Sequence, residues 1–136
     1  MKREYTTRRK SILIYSSGRK TIGCRFKNEV ERVIPDAVKD VCRTLDGFRQ
    51  TLMDNMGTYK IVVLLCATQE EMNTFFMMRE LFSECRLILI VPNHETETIH
   101  RAHRLYPRFL SYADSHFEDV AAVIQRSADL QYPVYE

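Results

Sequence analysis

The chain has 136 residues, 45% of them apolar and 28% charged, with 20 Lys/Arg against 18 Asp/Glu. That is the range of an ordinary globular domain with a core of its own, and the length fits one such domain. No apolar run approaches the ~20 residues of a membrane span, and a polar, basic N-terminus is expected to be neither signal peptide nor anchor.

Residues 1–10 hold five Lys/Arg and one Glu, a net +4 that leaves the other residues at −2. This basic N-terminal arm could touch an acidic partner. Nucleic acid is not expected, because the excess is confined to residues 1–10, and a solubilising terminus is the plainer reading. The first strand is predicted at Ser11-Ile-Leu-Ile-Tyr15. Ile22, Phe26, Val30 and Val33/Ile34 then recur at helical spacing up to Pro35. Residues 37–43 alternate only partly and are more polar, as an edge strand would be. Thr44 is expected to cap a helix with Leu45, Phe48, Leu52 and Met56 on one side, ended by Gly57.

Ile61 to Cys66 is an unbroken apolar run, the pattern of a central strand buried on both faces. Thr68-Gln-Glu-Glu71 follows as a capping box, so a buried strand runs straight into a helix over 69–84. Met72, Phe75, Phe76 and Phe82 give that helix a wide apolar face. Its Met-Phe cluster exceeds what one face can bury, so Met77 or Met78 is left for a partner interface. A third buried strand spans 86–91, a weaker amphipathic helix runs over 95–106 through Ile99, Ala102 and Tyr106, and a last strand covers 108–112. Ser115-His-Phe-Glu118 is read as a second capping box, opening a helix with Phe117, Val120, Ala121 and Ile124 inward. Residues 11–128 form the domain, and 129–136 read as a tail.

Five strand–helix units with short connections predict a doubly wound α/β fold: a five-stranded parallel sheet, order 2-1-3-4-5, with helices on both faces. The four cysteines are widely spaced and are expected to be free, buried thiols in a reducing cytoplasm. His100 and His103 with His94 and Glu97 match no zinc spacing, and no metal or cofactor is expected.

The order of elements, with Leu64-Leu-Cys-Ala67 at the third strand and Arg108-Phe-Leu-Ser-Tyr-Ala-Asp114 at the fifth, resembles the receiver domains of bacterial two-component response regulators, the CheY-like superfamily. The resemblance covers roughly residues 10–128. It implies an acidic pair after strand one, a phosphoacceptor Asp after strand three, a hydroxyl after strand four and a Lys after strand five. Those positions fall on Ser16 and Ser17, Cys66, Val91, and Tyr112, so all five are replaced. Two hydroxyls do not make a Mg²⁺ site, and a cysteine forms no acyl phosphate. The resemblance therefore implies a pseudo-receiver, a non-enzymatic regulatory module acting through an unidentified protein partner. The strand-five face, with Tyr106, Tyr112 and His103, is the implied surface for that partner or a homodimer. Asp114 is a candidate carboxylate near the old site. The alternative is a flavodoxin-like binder of a nucleotide or phosphate at Ser16-Ser17-Gly18-Arg19. A third reading is a redox thiol at Cys66.

Overall fold

The computed structural model describes residues 11–17, 20–35 and 38–131. Strands β1 (Ser11–Ser16), β2 (Val38–Cys42), β3 (Ile61–Leu65), β4 (Arg86–Val91) and β5 (Phe109–Tyr112) alternate with helices α1 (Lys20–Val33), α2 (Leu45–Asp54), α3 (Gln69–Met77), α4 (Thr96–His103) and α5 (Glu118–Gln131). The sheet is wholly parallel in the order β2-β1-β3-β4-β5, as predicted. The most polar strand sits at an edge, and the most apolar one at the centre.

Alternation along β3 explains why its run is unbroken. Val62 and Leu64 enter a core under α2, α3 and α4, while Ile61, Val63 and Leu65 enter a second core under α1 and α5. The first is an aromatic cluster: Tyr15 meets Phe48 and Phe75 edge-on with centroids 5.8 and 5.1 Å apart, and Phe82 closes it. Phe75 is fully buried there. Truncating it to Ala would cost about 3–5 kcal/mol. In the second core Phe26 meets Phe117 at 5.5 Å. Gly23 lets α1 approach the end of β1, since a Cβ there would stand 2.7 Å from Ser16 Oγ.

Several boundaries differ from the sequence reading. The third helix ends at Met77, not at residue 84, and a 3₁₀ turn, Arg79–Phe82, follows. Met78 N–H is shared between the Thr74 and Phe75 carbonyls, the i−3 bond that begins the tighter winding. The second helix stops at Asp54, and its Asn55 N–H reaches back to Thr51 and Leu52. Met56 therefore leaves the apolar face and is exposed, while Gly57 takes φ +86 in the turn. Tyr106, expected on the inward side of the fourth helix, lies beyond its end and is exposed.

The second capping box does not form. Phe117 takes φ +66 and precedes the helix, and Ser115 Oγ accepts from Phe117 N–H (3.2 Å) and contacts Ser111 Oγ (3.2 Å). Phe117, Val120, Ala121 and Ile124 are nevertheless buried as expected. The last helix continues to Gln131, into the segment read as a tail, and residues 1–10 and 132–136 lie outside the described residues. All four cysteines are free, but only Cys66 is buried; Cys42 and Cys85 are half-buried and Cys24 is exposed on α1.

Candidate functional site

The parallel strands end together in a small crevice of about 120 Å³ walled by Ser16, Leu65, Cys66, Pro92 and Ala113 among others. Strand register makes it: Ser16 lies beside Leu65, and Cys66 N–H continues the ladder onto the Ile90 carbonyl at 2.9 Å. Four of the five expected positions, Ser16, Ser17, Cys66 and Tyr112, are at this edge, with Val91 fully buried at the end of β4. Gly18 and Arg19 of the expected ligand loop lie outside the described residues.

A carboxylate whose sequence signal is only that of a helix cap dominates the electrostatics. Glu71, 9% exposed, completes the capping box, with its N–H donating to Thr68 Oγ1 at 3.1 Å. Its side chain then gathers four donors. Tyr15 O–H (2.6 Å) and Ser17 O–H donate to Oε2, and the Ala67 (2.6 Å) and Thr68 (3.3 Å) N–H groups donate to Oε1. Burial opposes its ionisation, but these hydrogen bonds outweigh burial and hold the carboxyl below its ordinary range. Burial, and then the bonded carboxylate, push the Tyr15 phenol far above its usual range. Cys66, 5% exposed, is raised likewise by burial first and then by the charge of Glu71. Burial thus favours the neutral thiol, whereas a redox role draws on the thiolate.

The loop after β5 is held from two sides. Arg25 of α1 donates to the Ala113 (3.0 Å) and Ser115 (3.2 Å) carbonyls and lies over the Phe117 ring. Tyr112 stacks on His94 with centroids 3.7 Å apart, and Asp114 stands 3.5 Å from His94 Nε2. Asp114 therefore faces the loop after β4, while Ala113 forms the crevice wall. His103 and Tyr106 are exposed, and the ring stacked on Tyr112 is that of His94. The donor set does not fit a magnesium ion: two serine hydroxyls and a thiol replace carboxylates, and Glu71 is already saturated. Among the described residues no three His, Cys, Asp or Glu side chains come together as metal ligands. The histidines and Glu97 likewise form no cluster.

The sequence matches no protein-family profile and no curated protein. Solved structures do match. The signal receiver domain of a DNA-binding response regulator from Colwellia psychrerythraea aligns with TM-score 0.72 at 14% identity, over 88% of this chain and 98% of that one. An orphan response regulator of H. pylori gives 0.65 at 14% identity, over 88% and 96%. A putative pilus assembly-related protein from Burkholderia pseudomallei gives 0.66 at 13% identity, over 90% and 91%. This is the receiver fold. Within it, the crevice occupies the strand-end position where ligands of open α/β sheets bind. No helix among the described residues is long and apolar enough to cross a membrane.

Proposed function

We propose that the chain is a non-catalytic pseudo-receiver, a cytoplasmic regulatory module that works by protein–protein contact and without aspartyl phosphorylation. The observation that carries the reading is the state of the strand-end crevice. Its phosphoacceptor position is a buried thiol, and the carboxylate whose charge acts on that thiol, Glu71, is bonded to four donors of its own chain. A phosphoryl group arriving there would find no carboxylate-held metal and would meet the Glu71 charge instead. The receiver fold occurs in response regulators and in a pilus assembly-related protein, so the pathway does not follow from the fold.

The flavodoxin-like alternative is less well supported. The Ser17 hydroxyl, needed for a bound phosphate, is engaged by Glu71, whose negative charge disfavours an anion at the same atom.

Thermal unfolding with Mg²⁺ and beryllium fluoride tests the proposal, with flavin mononucleotide and nucleotides in parallel. A ligand at a hundred times its dissociation constant adds about 2.7 kcal/mol, a shift of several degrees. No shift is expected in any arm. A shift with beryllium fluoride would overturn the proposal, and one with a nucleotide or flavin would establish the alternative.

A further inference from the structure

The seam between the C-terminal ends of α3 and α4 holds charge that no described residue neutralises. The half-buried Phe76 ring carries two guanidiniums, Arg79 Cζ at 4.2 Å and Arg104 Cζ at 4.4 Å from its centroid. The two cations are therefore less than about 9 Å apart. That is about one screening length in ordinary buffer, so they repel each other appreciably. Arg79 donates to the Phe76 carbonyl at 2.9 Å, and among the described residues neither arginine is in an ion pair. Glu80, beside Arg79 in the chain, pairs with neither. Arg101 of α4 shows the contrast, being held by Glu97 at 2.7 Å and by Asn73.

Exposed apolar and aromatic residues lie next to this cluster in the chain, Met77 directly after Phe76 and Tyr106 two residues after Arg104. Met77 is 78% exposed and Tyr106 is 87% exposed. Tyr106 also has φ +52, a left-handed conformation that bulky residues rarely adopt.

We propose that this seam docks an acidic, amphipathic segment of a partner protein. Its carboxylates pair with Arg79 and Arg104, and its apolar side chains cover Met77 and Tyr106. The proposal rests on the reading of the chain as a protein-contact module and names that module's contact surface. Arg, Tyr, Phe and Met are the residue types enriched where protein interfaces bury most deeply. A guanidinium stacked on a ring uses its face, leaving its edge donors to grip a carboxylate in two-pronged fashion. A polyanion such as nucleic acid fits less well, because Met77 offers phosphates nothing and Glu80 repels them. A symmetric seam-to-seam pairing of two copies would bring two arginine pairs together.

Nuclear magnetic resonance titration of the ¹⁵N-labelled full chain tests this with three probes. These are a synthetic peptide alternating Glu with Leu and Phe, its Gln-for-Glu version, and a single-stranded oligonucleotide. A fourth arm adds Mg²⁺ with beryllium fluoride. The Glu peptide is expected to saturate with a dissociation constant of about 1 mM or tighter, shifting Phe76, Met77, Arg79, Arg104 and Tyr106. Binding should weaken with salt, fall at least about tenfold in Arg104→Glu, and be absent for the Gln peptide. Arg104 is exposed, so an unchanged melting temperature of that variant would show that folding is not the cause.

Absence of saturable shifts, tighter binding of the oligonucleotide at this seam, equal binding of the Gln peptide, or shifts on the β5 face alone would each overturn the proposal. Shifts at Ser16, Cys66 and Ala113 in the beryllium fluoride arm would instead overturn the phosphorylation-independent reading. They would leave the seam to be judged by the peptides.

Discussion

Glu71 and the Arg79–Arg104 pair are two concentrations of charge on the same helical layer of the sheet, and the protein treats them oppositely. The carboxylate is buried at the strand-end crevice and takes two hydroxyl and two backbone donors. The guanidiniums are exposed, share one phenyl ring, and among the described residues pair with no carboxylate. A buried charge persists only when its partners are supplied internally, so Glu71 belongs to the architecture. An exposed charge tolerates having none, so the arginines remain free to answer a charge from outside. On this contrast the crevice belongs to stability, and the α3–α4 seam is the proposed recognition surface.

Substitutions should separate the two regions by size of effect. Cys66→Asp restores the residue type of a phosphoacceptor but buries a second carboxylate beside Glu71 with no cation. The expected loss is about 3 kcal/mol or more in urea unfolding, without gain of phosphorylation. An unchanged urea midpoint would mean that the crevice is wetter and more adaptable than its burial indicates. Glu71→Ala leaves Tyr15, Ser17 and two backbone N–H groups without their acceptor and should cost about 2–4 kcal/mol by the same measurement. Tyr15→Phe removes one of the four donors and should cost about 1 kcal/mol while raising the pKa of Glu71. Arg104→Glu should lie within about 0.5 kcal/mol of wild type, as a surface change in the other region. A loss comparable to that of Glu71→Ala would erase the distinction.

The pH profile sharpens the same contrast. The folded state depresses the Glu71 pKa, so its stabilisation is present above the unfolded value, about pH 4.3, and disappears as pH falls through the folded value. The pKa values of Cys66 and Tyr15 are raised, so their protonated forms are the ones folding favours. Stability is then fully present below about pH 8.5 and declines above it, first through Cys66 and then through Tyr15 near pH 10. Melting curves from pH 2.5 to 10 should show a plateau between these limits, and Glu71→Gln should flatten its acid side.

Local pattern made the fold legible and left the site mostly hidden. The apolar run Ile61 to Cys66 and the more polar residues 37–43 gave the central and edge strands, because burial on one or two faces is written directly into side-chain type. Thr68 and Glu71 gave the helix start for the same reason, the cap being a local bond. That Glu71 also binds Tyr15, 56 residues earlier, depends on β1 and α3 meeting in space, and no spacing encodes it. The helix end at Met77 and the left-handed residues Tyr106 and Phe117 escaped because bulky side chains there carry no glycine signal, while at the second helix Gly57 marks the turn after Asp54 and not the last helical residue. The seam was half legible. The surplus of Met and Phe after residue 72 pointed to a leftover methionine, and Met77 is the exposed one, while its arginine neighbours come together only when α3 and α4 pack.

Intact-mass spectrometry after incubation with acetyl phosphate and Mg²⁺ tests the central claim most directly. A chain whose phosphoacceptor position is the buried Cys66 should remain unmodified, with the same mass and melting temperature as the untreated protein. A stoichiometric, acid-labile phosphoryl adduct on residues of the strand-end crevice would contradict it.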